Sequence, residues 1–237
     1  MTDFSRSRLQ TGVKIVFVVV VALIAFAVGA VLLPPWWWSP AHPDDVTAST
    51  RASRFEQEVT SRVHTIRKGG EPWGFRVTQD QVNAWLATRL PKWIEHDASL
   101  RWPEGITAVQ VRFGEGEIEL GGRGSGPVWR ARFAADLKDG ACQLQPIGGG
   151  IGRVPIQGVI LQGVAGMVPE GVLQENGTIA MPTELELVDG RRIQLVDFEF
   201  VDGALGVLLV THPSGDTGQE APRDASTGDD PPDDEER

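Results

Sequence analysis

Polar positions are nearly absent from residues 13–33 (VKIVFVVVVALIAFAVGAVLL), where Lys14 is the only charge. A hydrocarbon core ~30 Å thick needs about 20 apolar residues at 1.5 Å rise, so the run predicts a transmembrane helix over 13–33. A cleaved signal peptide is the alternative; its apolar core of about 7–15 residues should end at a small-residue cleavage site. Val28, Gly29 and Ala30 offer such a site, but Val31, Leu32 and Leu33 carry the run past it, which favours an uncleaved anchor.

The flanks set a direction. Arg6, Arg8 and Lys14 precede or open the run, whereas Pro34, Pro35, Trp36, Trp37 and Trp38 follow it, then Asp44 and Asp45. Basic residues favour the cytoplasmic side, and tryptophan rings favour headgroup depth. Residues 1–12 are therefore expected in the cytoplasm. Trp36, Trp37 and Trp38 are expected at the membrane interface, the alternative being a buried apolar patch. Everything beyond them is expected outside the cytoplasmic membrane. Residues 34–50, rich in proline, read as a semi-rigid linker.

From Arg51 the period becomes helical. Phe55, Val59, Val63 and Ile66 form one stripe, and Gly69 and Gly70 end it. Trp73, Phe75 and Val77 alternate with polar residues over a short extended piece. Thr78 and Gln81 then make a capping box for a second helix, with Val82, Trp85, Leu86 and Leu90 facing inward and Pro91 ending it. Asn83 sits mid-helix, either exposed or bonded to the backbone of a neighbouring strand.

Strict alternation follows: Val109, Val111 and Phe113; Ile118 and Leu120; Trp129 to Leu137; Cys142 and Leu144 after the Asp139–Gly140 turn. One-sided alternation predicts an antiparallel sheet with one wet face. A glycine-rich interval (148–152) leads to Pro155, after which Ile156, Val159, Ile160, Val164 and Met167 recur at helical spacing. A meander through 179–209 closes the sheet. The phase change from Ile193 and Leu195 to Phe198 and Phe200 predicts a bulge near Val196. The expected fold is α+β: an N-terminal transmembrane helix, then two helices and a curved antiparallel sheet of about seven strands, with a short helix inserted before the last three. The folded domain covers 51–212, and 213–237 is an acidic tail without apolar residues to order it.

Composition adds limits. The 237 residues carry a formal charge of −10, but 213–237 account for −7 and the first fourteen for +2. The remaining −5 is not the field of a nucleic-acid binder. Cys142 stands alone, so no internal disulfide forms, and no Cys/His spacing resembles a metal site. No cofactor is implied.

Candidate chemistry is sparse. Glu115, Glu117 and Glu119 share one face at i, i+2 spacing and could divide acid and base roles, which would suit a glycan or lipid hydrolase of the envelope. The simpler reading is a solvated face. Arg112, Arg130 and Arg132 are either a stripe facing lipid phosphates or an anionic polymer, or an ordinary outer face. Gly124, Ser125 and Gly126 lack a base partner for a serine nucleophile. No catalytic residue is assigned.

Residues 77–86 (VTQDQVNAWL) resemble the Val-Thr-x-x-Gln/Glu-x-Asn-Ala-x-Leu segment of small bacterial membrane-anchored extracytoplasmic proteins, including the YpmS-like family. Residues 152–156 (GRVPI) resemble the step before the late helix in such proteins. The resemblance implies one N-terminal span, an early helix and a long antiparallel sheet. A looser similarity to tubular lipid-binding domains implies a groove lined by Trp85, Val159, Ile160 and Val164. The expectation is a non-enzymatic, single-pass module binding a lipid-like ligand or an envelope protein. The alternatives are the hydrolase and a membrane scaffold acting through its acidic tail.

Overall fold

The computed structural model describes residues 3–96, 105–156 and 172–214, with side chains from residue 17 onward. The late helix expected from Pro155 lies outside the described residues beyond Ile156, as does the tail from residue 215; Pro155 itself belongs to a short strand, not a first helical turn. Pro213 and Ser214 pack back on the domain, Pro213 against Gly69 and Ser214 Oγ donating to the Asp189 carbonyl at 2.8 Å.

The architecture is α+β. Among the described residues, four helices, α1 (Asp3–Leu32), α2 (Val46–His64), α3 (Gln79–Thr88) and α4 (Leu90–His96), accompany ten strands. The strands form two antiparallel sheets, where the sequence suggested one. The first contains β1 (Pro72–Thr78), β8 (Glu184–Glu186), β9 (Arg192–Val201) and β10 (Ala204–His212), in the order β1-β10-β9-β8. The second holds β2 (Ala108–Gly114), β3 (Glu117–Arg123), β4 (Trp129–Lys138), β5 (Ala141–Ile151) and β6 (Val154–Pro155) in sequence order. β7 (Ile179–Pro182) also pairs with β5. The stretch expected as one strand over 179–187 thus divides between the sheets, β7 joining β5 and β8 joining β9. Pro182, without an N–H to donate, ends the first part.

Local features follow the residues closely. The Thr78 hydroxyl accepts from Gln81 N–H at 3.3 Å, and Gln81 Oε1 accepts from Thr78 N–H at 2.8 Å, completing the capping box. The Asp139–Gly140 turn has φ of 54° and 71°, the left-handed pair a tight hairpin requires. Opposite Leu208 and Leu209 the register jumps from Asp197 to Leu195, so Val196 is the bulged residue. The glycine-rich interval differs from its expected role: 148–151 continue β5 as a strand, and Ile147 is skipped in the pairing with β4.

The predicted stripe of α2 extends to its start: Phe55, Val59 and Val63 are partly buried on the same face as the buried Ala48 and Ala52. α2 begins at Val46, with Asp45 accepting from the N–H groups of Thr47 and Ala48. Its contact with α3 is made by small residues, Ala48 and Ala52 against Ala84, and Thr88 is buried beside them in α3. Ile66, the predicted end of the apolar stripe, is exposed. Pro91 opens α4 instead of ending a helix, a position where its missing N–H costs nothing.

Asn83 joins helix to sheet. Its Nδ2 donates to the Val111 carbonyl at 2.9 Å, and its Oδ1 accepts from Val111 N–H at 2.8 Å. Gln79, one turn earlier, accepts from Phe113 N–H at 3.0 Å. The Phe113 carbonyl accepts from Gly203 N–H at 3.2 Å, which ties the β9–β10 turn to β2. Of the two readings of Asn83, the bond to strand backbone is the one observed.

Among the described residues no helix is long and apolar enough to cross a membrane. Residues 17–32, where side chains are described, span about 24 Å at 1.5 Å per residue. Residues 13–16 of the expected span precede them.

Replacing Asn83 with Leu should cost about 1–3 kcal/mol, because both backbone groups of Val111 lose their partner. Asn83→Asp keeps the acceptor but sets an oxygen against the Val111 carbonyl, and should not restore stability. Denaturant unfolding of the detergent-solubilised chain measures both.

Candidate functional site

The six-stranded sheet has an apolar and a polar face. Phe133, Ala131 and Ile179 are buried on the apolar side, with Ile118, Leu120, Trp129 and Leu144 around them. Burial of such a side chain stabilises by roughly 1.5–3 kcal/mol. The polar face carries Gln110, Arg112, Glu119 and Arg130, and simple alternation predicts that it is wet.

It is not wet at its centre. The Glu119 side chain is only 4% exposed, accepting from Arg130 at 3.0 Å and from Arg112 at 3.3 Å. Glu117 pairs with Arg132 at 2.5 Å. That hydrogen bond from Arg132 to the carboxylate, set against partial burial, holds the Arg132 guanidinium above its ordinary pKa. Glu115 lies exposed in the β2–β3 connection and is not on this ladder. The predicted carboxylate trio is thus dispersed, two members being countered by arginine. The basic stripe of Arg112, Arg130 and Arg132 is countered in the same way.

The layer over this face comes from the segment that follows α1. Trp37 and Trp38 are buried there and pack with Val128 and Ala108. A Cβ on Gly121 would lie 2.7 Å from Trp37 and 2.8 Å from Trp38, so only glycine admits the two rings so close to β3. Gln110, buried beneath, donates to the Trp37 carbonyl at 3.3 Å and accepts from Ser39 N–H at 2.9 Å. Trp36 alone of the three is exposed, at 78%, with the Arg112 guanidinium 4.7 Å from its ring centroid. Trp37 and Trp38, expected at the membrane interface, therefore have protein partners. Residues 34–39 are not a free spacer.

A second clamp holds the end of α1. Gly152, with φ of +57°, lies so close that a Cβ would be 2.0 Å from the Val31 carbonyl oxygen. Arg153 N–H donates to the Ala30 carbonyl at 2.8 Å, and its Nε donates to the Pro34 carbonyl at 3.1 Å. These bonds satisfy carbonyls that a helix terminus leaves open. Above the clamp, the side chains of α1 from residue 17 to residue 28 are exposed on every side.

The other predicted site residues do not gather. Trp85 lies between α2 and α3, its Nε1 donating to Glu56 at 2.9 Å and its ring edge-on to Trp93. Arg89, four residues on, ion-pairs with Glu56 at 3.6 Å and donates to Ser53 Oγ. Val159, Ile160 and Val164, expected to line a groove with Trp85, lie outside the described residues. Cys142 is half-buried, which pushes its thiol pKa up and leaves it a poor nucleophile at neutral pH. Among the described residues no cluster of His, Cys, Asp or Glu could hold a metal ion.

Composition alone does not reveal Gln110, Gly121, Gly152 or the role of Arg153. One signal was available: paired glycines inside an alternating strand, Gly121 and Gly122, mark a close approach. Gly122 meets Trp129 on the opposite face.

Gly121→Val should expel the two indoles from the sheet, red-shifting tryptophan emission, raising acrylamide quenching and destabilising by about 1–3 kcal/mol. Glu119→Gln should cost a similar ~1–3 kcal/mol in denaturant unfolding, since Arg112 and Arg130 lose a shared charge in a partly buried place.

No protein-family model, curated protein or solved structure matches this chain.

Proposed function

We propose that the chain is a single-pass, membrane-anchored module whose folded domain sits outside the cytoplasmic membrane. It acts there by binding a lipid-like ligand or an envelope protein. The observation that carries this reading is the state of α1. Its apolar side chains, among them Phe17, Val20, Ile24, Phe26 and Leu32, are exposed. A helix apolar on every face needs an apolar surrounding. The sequence run 13–33 has the length for a span, and the basic residues before it favour a cytoplasmic N-terminus.

The arrangement of the domain supports a binding role over a catalytic one. Glu117 and Glu119 are engaged by arginines, and Glu119 is buried. The likeness of residues 77–86 to YpmS-like anchored proteins agrees with the same plan. The two clamps on residues 30–38 favour a domain held at one orientation to its anchor, as a surface meant for a nearby membrane-bound target would be.

The full-length chain in cell membranes should stay in the pellet through alkaline carbonate and high salt, and leave it only with detergent. Protease added outside the membrane should digest the domain. Release by carbonate, or protection of the domain, would overturn the anchor or its direction. Native mass spectrometry of the detergent-solubilised chain then separates the ligands: a bound lipid of defined stoichiometry supports the lipid-like ligand, and an empty chain directs the search to protein.

A further inference from the structure

The two ends of the six-stranded sheet differ in charge. The end far from α1 carries the β2–β3 and β4–β5 turns, with Glu115, Asp136 and Asp139. The end at α1 carries the β3–β4 connection and the β5–β6 turn. The described stretches 120–135 and 140–156, which run to this end, carry no acidic residue.

Arg123 and Arg153 stand out at this end. Both are exposed, and among the described residues neither makes an ion pair, unlike Arg112, Arg130 and Arg132. The ladder aligns them. Gly122 pairs with Trp129, Trp129 with Ile151, and Ile151 with Val154. Arg123 and the Gly152–Arg153 turn therefore occupy the same row two strands apart, about 10 Å at ordinary strand spacing.

The height of this row follows from the anchor. Arg153 N–H bonds to Ala30, and Gly152 touches Val31, both within the last turn of the apolar run. The turn therefore lies at the level where α1 leaves the hydrocarbon. Two exposed guanidiniums without an ion pair among the described residues, on one row of the sheet, suit this end to an anionic acceptor.

We propose that the anchor-proximal end of the six-stranded sheet binds the phosphates of anionic lipid headgroups. Arg123 and Arg153 supply the guanidinium forks. The proposal rests on the membrane-anchored reading. It deepens that reading by naming the surface that meets the lipid and the headgroup chemistry selected.

The test uses the full chain in lipid nanodiscs, of phosphatidylcholine alone or mixed with phosphatidylglycerol, read by amide hydrogen exchange. In anionic discs, exchange over residues 121–128 and 151–155 should slow about fivefold for each arginine engaged. The slowing should vanish in high salt and in the Arg123→Gln, Arg153→Gln double variant, while amides near the Asp139 turn stay unchanged. Arg123→Gln alone makes the test where the double variant misfolds, since that side chain makes no ion pair to lose in the described domain. Incorporation into discs with equal exchange in both lipids, or slowing that ignores salt, would overturn headgroup binding and leave the anchor reading standing. A chain that enters neither disc would overturn the anchor reading itself.

Discussion

The outer edge of β2 is the constraint from which most of the domain follows. A strand edge exposes N–H and C=O groups that must be paired or solvated, and an open edge invites pairing with another chain. Here side-chain amides stand in for a neighbouring strand. Asn83 satisfies both backbone groups of Val111, and Gln79 takes the Phe113 N–H. One turn of helix separates these two residues, so α3 must lie along the edge at one height. The Thr78 cap then places the end of β1, and Gly203 bonds both Gln79 and Phe113, which brings the β9–β10 turn to the same point. Two sheets and a helix meet at one strand. Phe113 and Phe200, with ring centroids 5.6 Å apart, fill the joint.

The polar face of the second sheet shows how glycine and arginine cooperate. Gly148, Gly149 and Gly150 lie opposite Arg132, Ala131 and Arg130 across β4 and β5. At Gly150 a Cβ would stand 3.0 Å from the Arg130 guanidinium, so the bare backbone leaves that side chain room to lie flat toward Glu119. Gly121 performs the same service for the two indoles. A carboxylate shared by two guanidiniums tolerates a dry cover that an unpaired charge would not. The tryptophan layer and the ion pairs thus depend on each other. The layer also connects the domain to the end of α1 and gives α1 and the sheet a common frame.

This frame bears on function because orientation at a membrane decides what a tethered domain can reach. A domain on a loose spacer samples many orientations; in the proposed membrane-anchored chain, one clamped through Trp37, Trp38, Gly152 and Arg153 would present the same end to the bilayer throughout.

What the sequence determined by itself is local. The Asp-Gly turns, the capping box of Thr78 and Gln81, the bulge at Val196 and the alternating strands were all legible, because each depends on backbone angles and hydrogen bonds within a few residues. The α+β class was legible too, as was the apolar length of residues 13–33. The tertiary structure alone decided that Asn83 caps an edge, that one meander divides between two sheets, and that Trp37 and Trp38 pack over Gly121 and Val128 on the polar face. Each joins segments far apart in the chain; Trp37 and Gln110 are 73 residues apart. Period-two alternation tells which side chains share a face. It carries no information about what a distant segment lays over that face, and here that segment set two buried indoles over Gly121.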